Sequence, residues 1–370
     1  MRWSVWRALG VVVSTSACAT VTVLDERQAP GGDGDDTTGG AAPVPSASSG
    51  DLPGATVTTG SGAGDPGATT SSGAGGAPSG ELTVLATGLT QPQAVAVVGE
   101  LVYVTELGFA SGDGSLARVP KHGGALDRVV PFEDGPFGLA VGTDHVYWSV
   151  YGQPGDGALK RLRLADDSVT VLAAGLFQPL GIAWDQGTVY AAEHDGGRVL
   201  AVDQAGSLDV VASFQGFPYA VAPASGGVVY ATQRTLAEPA VVRRAEGGQI
   251  VDLYTGLVPV RSLASDGPAI YLGTDAGEIL RGTIDGEPLT TLAVVNDRVF
   301  GLAVAEGFVY FTAFAQGVVG RVPSSGGDPQ TLATDQGLVR GVTVDDEAIY
   351  WVREDVEQTE ASGSLVRLTK

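Results

Sequence analysis

The chain has 370 residues, a formal charge of −21, 44% hydrophobic residues and one cysteine. It is long enough for a large core, and its acidity disfavours nucleic acid and anionic lipid headgroups as partners, because like charges repel. A single cysteine excludes an intramolecular disulfide and any zinc site built from several thiolates.

Residues 1–20 read as an export signal, with Arg2 and Arg7 in a positive n-region, a short apolar core at 8–13 and small residues at 14–19. The apolar run is too short to span a bilayer as a helix. Thr15-Ser16-Ala17-Cys18 resembles a bacterial lipobox, in which Cys18 becomes the lipidated first residue of the mature chain; Ala17-Cys18-Ala19 also fits ordinary signal cleavage. The lipid anchor is favoured because the only cysteine stands where that chemistry requires it. Membrane attachment is then expected through the anchor alone, in the periplasm or at the cell surface, with free secretion as the alternative.

Residues 21–80 are predicted to form a disordered tether, because from about Ala29 onward they are Gly, Ser, Thr, Ala, Pro and Asp with almost no large apolar residue. A flexible tether of this length has an r.m.s. reach of roughly 40 Å. Asp33, Asp35 and Asp36 do not complete a calcium loop, because Thr38 replaces the needed Gly and the bidentate Glu is missing.

Residues 81–370 repeat. Tyr103, Tyr147, Tyr190, Tyr230, Tyr271, Tyr310 and Tyr350 each close a Val-Tyr or Ile-Tyr pair, at separations of 44, 43, 40, 41, 39 and 40 residues. Each unit holds short runs of Val, Leu, Ile and Tyr cut by Gly, Asp and Pro, which is strand chemistry without a helical stripe. A unit this small cannot bury its own faces, so neighbours must stack. The expected fold is all-β: a seven-bladed β-propeller of four-stranded blades, with strands A to D counted outward from the axis. The predicted A strands are 94–98, 138–142, 181–184, 220–223, 262–265, 301–304 and 341–344, and each opens on a small residue, as convergence near the axis demands. The seventh unit ends after its C strand, so 82–86 is predicted to supply its D strand and close the ring.

Repetition separates scaffold from candidates. Arg118, Arg161, Arg243, Arg281, Arg321 and Arg367 share one C-strand register and read as scaffold. On the top face, where D–A connections and B–C loops emerge, the A strands are led by Gln93, Phe137, Leu180, Tyr219, Arg261, Phe300 and Arg340. Glu106, Val150, Glu193, Gln233, Thr274, Ala313 and Arg353 leave the B strands there. These vary from blade to blade, and Gln93, Glu106, Phe137, Tyr219, Gln233, Arg261, Phe300, Arg340 and Arg353 are the ligand-binding candidates at the axial mouth. The plainer reading of the same set is a salt-bridged, solvated rim. Long B–C loops carry Asp113, Asp156, Glu354, Asp355, Glu357 and Glu360 into one acidic sector. His122 and His145 fall at the bottom, whereas His194 follows Glu193 at the top, where a His beside a carboxylate can act as general base. Glu193 and His194 are thus the catalytic candidates. No HExxH, Walker A, dinucleotide Gly motif or Gly-x-Ser-x-Gly elbow occurs in the repeats.

At Val146-Tyr147-Trp148, Ile349-Tyr350-Trp351 and the Gly-x-x-x-Arg segments the units resemble the NHL, YWTD and streptogramin-lyase-like propellers. For lyases of that group the resemblance implies a His and Glu constellation, which only Glu193 and His194 match in kind. For calcium-dependent lactonases among six-bladed relatives it implies Asn-rich ligand sets, and this chain has a single Asn, Asn296. The leading expectation is a non-enzymatic, exported and lipid-anchored monomer that binds a protein or small polar ligand on its top face without a cofactor. The alternative is a hydrolase or lyase using Glu193 and His194, with a divalent cation such as calcium among the top carboxylates.

Overall fold

The computed structural model describes residues 11–14, 19–20, 80–233, 238–355 and 361–370; Cys18, the tether and part of the last B–C loop lie outside them. Within the repeats every regular element is a strand. Blade 1 comprises Pro92–Val98, Leu101–Glu106, Gly114–Pro120 and Asp127–Glu133; blade 2, Pro136–Val141, His145–Val150, Gly157–Arg163 and Val169–Leu176. Blade 3 comprises Pro179–Asp185, Thr188–Glu193, Arg198–Val202 and Leu208–Ser213; blade 4, Phe217–Ala224, Gly227–Gln233, Ala240–Glu246 and Gln249–Leu257. Blade 5 comprises Val260–Asp266, Ala269–Thr274, Glu278–Thr283 and Thr290–Val294; blade 6, Val299–Ala305, Phe308–Ala313, Val318–Pro323 and Gln330–Ala333. Blade 7 takes Leu338–Val344, Ala348–Glu354 and Gly363–Thr369 from the end of the chain and Leu82–Leu89 from its start. Two short strands, Val11–Ser14 and Ala19–Thr20, pair with each other, and the first also runs parallel to the A strand of blade 1.

The closing strand is antiparallel to the terminal one, with Leu82 opposite Leu368, Val84 opposite Val366 and Ala86 opposite Leu365. Leu89, fully buried, packs with Val95, Val104 and Leu365, so the first and last segments share one core. Ring closure leaves blade 7 with four strands like the others.

Six of the seven marker tyrosines are buried, as are Trp148 and Trp351. Each scaffold arginine stands directly across the B–C ladder from a marker tyrosine, as Tyr103 does from Arg118 and Tyr310 from Arg321. Blade 3 has Ala201 in that place, and there Tyr190 is only half-buried. Where the arginine is present its head also reaches a neighbour, as when Arg118 bonds Asp127 and, on the next blade, Asp167 at 2.7 Å.

The A strands begin two or three residues earlier than the spacing predicts, and each is broken by a bulge at its small residue, for example between Pro136 and Leu139. The crowding there is between neighbouring blades rather than across the axis. A Cβ on Gly138 would lie 2.4 Å from the Leu180 carbonyl oxygen of blade 3. A B-strand hydroxyl completes the junction: Ser149 accepts from the Gly138 N–H at 2.7 Å and donates to the Leu180 carbonyl at 2.6 Å. Thr105 and Thr312 make the same bridge from blade 1 to 2 and from blade 6 to 7.

Candidate top-face site

The seven residues that lead the A strands do gather at the inner top edge, and all are buried, with exposures of 3% or less. Their charges are matched within the fold. Arg261 forms a two-pronged pair with Asp275, and Arg340 bonds Glu354 at 2.9 Å, each across a separation of 14 residues within one blade. Arg340 also donates to Gln93 of the neighbouring blade at 3.1 Å and lies over the Phe314 ring at 5.6 Å. Phe314 packs on Phe300 with centroids 4.5 Å apart. Phe137 presents its carbonyl to Thr105, and Gln233 donates to the Glu238 carbonyl at 3.1 Å. Arg353 is half-buried at the blade 7 exit.

The two carboxylates that leave the B strands turn away from the mouth toward their own blades. Glu106 accepts from Arg128 at 2.7 and 2.9 Å, from Ser115 and from the Thr90 N–H. Glu193 accepts from Arg198 and from the Phe177 N–H at 2.8 Å. In both, the amide belongs to a residue 16 positions upstream, so the carboxylate ties the D–A corner to the blade it enters. Such pairs are structural, because removing the arginine strands a buried carboxylate.

Glu193 is therefore engaged away from His194. The imidazole has another partner: its Nδ1 is 2.7 Å from Asp195 Oδ1. The ring stacks on Phe217 at 5.0 Å and approaches Tyr219 at 6.4 Å. Gln178 lies beside Asp195 and Tyr151, and the amide orientation that satisfies these neighbours donates to the carboxylate at 2.8 and 3.0 Å. The Tyr219 hydroxyl is buried without a hydrogen-bond partner among the described residues, and burial pushes its pKa up. A carboxylate that orients an imidazole is the arrangement of a general base. Among the described residues no three His, Cys, Asp or Glu side chains converge as a metal-binding group.

The sequence reading missed a feature of the corners. Of the ten phenylalanines, four are exposed: Phe132 (85%), Phe177 (43%), Phe214 (99%) and Phe217 (38%). All four sit at the three consecutive D–A corners that join blades 1 to 4 on the top face. Phe132 and Phe214 have φ of 63° and 57°, where three equivalent corners use Gly88, Gly175 and Gly256 at 73–75° and a fourth uses Asp335 at 58°. A bulky side chain in the left-handed region is strained and offers no compensating packing here. The signal available in the sequence was the alignment of Phe132 and Phe214 with those glycines.

No protein-family model and no curated protein matches the chain. Among solved structures, a catalytically inactive virginiamycin B lyase from Staphylococcus aureus, crystallised with quinupristin, aligns at TM-score 0.61 and 16% identity over 78% of this chain and 99% of that one. The WD40 β-propeller domain of Doa1 aligns at TM-score 0.62 and 13% identity, over 80% of this chain and 97% of that one. The computationally designed protein Ika8 aligns at 0.55 and 16%, over 75% and 83%. At such identities the likeness is one of fold alone, that of a β-propeller.

Proposed function

We propose that the chain is an exported propeller, anchored through Cys18, that acts as a binding module through its top face. The observation that carries this reading is the arc of four exposed phenylalanines at successive corners, two of them strained, whereas the ten other exposed large apolar residues among the described residues are all aliphatic. The mouth residues singled out in the sequence then serve as the rigid, internally neutralised floor beneath that arc. Its partner is a protein surface or small ligand that presents apolar groups. The test is comparative capture with wild type, the Phe132→Gly/Phe177→Ser/Phe214→Gly variant and a Val251→Ser control on an outer strand. A partner lost only by the triple variant supports the reading; equal recovery by all three opposes it. For the anchor, Cys18→Ala should release the protein from the membrane fraction.

A second reading is favoured by the His194–Asp195 contact: a hydrolase or lyase in which His194 takes a proton and Asp195, rather than Glu193, orients it. The fold-level likeness to a lyase fits this chemistry without establishing it. Turnover of any ester or macrolactone substrate that survives unchanged in His194→Ala would remove this reading.

A further inference from the structure

At the edge of the same arc, a cavity of about 390 Å³ opens between blades 1 and 7. Phe109, Pro131, Phe132 and Ala361 supply its apolar walls, and Asp113 and Arg128 its charges. Arg128 is already neutralised, because both oxygens of Glu106 accept from it. The Asp113 carboxylate is exposed and has no ion pair or side-chain hydrogen bond among the described residues. Among the described residues the cavity therefore carries one uncompensated negative charge beside two phenyl rings, one of them on the strained backbone of Phe132.

We infer that this cavity is a site for an organic cation, an ammonium or guanidinium on an apolar stem such as a lysine or arginine side chain. Aromatic faces attract cations through their quadrupole, and the adjacent carboxylate adds a direct Coulomb attraction. The acidic molecule concentrates cations at its surface in the same sense. The apolar stem is what distinguishes the expected ligand from a metal ion, since the described lining offers aromatic and aliphatic carbon and a single carboxylate. This inference rests on the top-face reading and names the chemistry of one of its subsites.

The experiment is calorimetric titration of the full chain with N-acetyl-lysine methylamide and with its neutral Nε-acetylated counterpart. The cation should bind in about the millimolar range and the neutral compound about fivefold or more weaker. Asp113→Asn and Phe132→Gly should each weaken the cation about threefold or more, with no fall in melting temperature. Equal affinity for the two compounds, absence of binding, or an unchanged affinity in both variants would overturn the site. Loss of a captured partner by the phenylalanine variants with no effect of Asp113→Asn would discard the cation site and leave the top-face reading standing.

Discussion

Phe214 takes, between blades 3 and 4, the backbone place that Gly175 takes between blades 2 and 3. Each lies six residues before the small residue of the next A strand, at φ 57° and 73° respectively. Glycine adopts that conformation freely, whereas an L-residue with a side chain pays for it. Phe214→Gly and Phe132→Gly should therefore each stabilise the fold, by about 0.5–1 kcal/mol, or roughly 2 °C in melting temperature. Thermal and urea unfolding of the single variants checks this, and a clear loss of stability would show that the rings make packing contacts in solution.

The closing strand gives a second expectation. Leu89 is fully buried where the first and last segments meet, so Leu89→Ala should cost about 2–4 kcal/mol by urea unfolding. Removing residues 80–89 should do more, because it bares the terminal strand as an open edge. Light scattering of the truncated chain should report self-association.

A third concerns the buried pair at the mouth. Arg340→Met leaves the Glu354 carboxylate, 1% exposed, without its 2.9 Å partner, and should destabilise by about 3–5 kcal/mol. Arg340→Met/Glu354→Leu should recover most of that loss, because it removes both buried charges. Failure of the double variant to recover would mean the pair sets the mouth's geometry as well as its charge.

The blade junction is tested by Ser149→Ala. Both the Gly138 N–H and the Leu180 carbonyl lose their partner in a dry interface, so a cost of about 2–4 kcal/mol is expected. Thr105→Ala and Thr312→Ala should behave alike, since the same bridge recurs there.

Alkaline pH should unfold the protein. Burial pushes Tyr350 up to about 12 and raises Tyr147, Tyr190, Tyr219, Tyr230 and Tyr271. With the folded pKa above the unfolded value near 10, the unfolded state loses protons first, so stability holds below about pH 10 and falls as pH rises toward 12. Urea midpoints at a series of pH values, with phenolate absorbance, should show ionisation coinciding with unfolding rather than preceding it.

Much of this architecture was legible in the sequence because the repeat is its own control. The tyrosine period fixed the blade count, the missing last strand pointed to Leu82–Leu89, and the small residues marked every A strand. The reason for the small residues was not legible: the nearest obstacle is a neighbouring blade's carbonyl, and the hydroxyl of Ser149 that bridges it reads in sequence as one more strand residue. Pairings at the mouth were also hidden. Glu193 stands next to His194 in the chain, but Glu193 ends the strand and His194 opens the turn after it, so Arg198 takes the carboxylate and Asp195 the imidazole. Exposure was the last gap, since Phe132 and Phe137 are the same residue type five positions apart, yet one lies at the end of the outer strand of blade 1 and the other at the start of the inner strand of blade 2.

The most direct measurement takes one protein, the Phe132→Gly/Phe214→Gly variant, and records its melting temperature and its retention of a captured partner together. A surface maintained for binding at the expense of backbone comfort should yield a higher melting temperature and a lost partner. A variant that keeps its partner in full would contradict the assignment of the top face as the working surface.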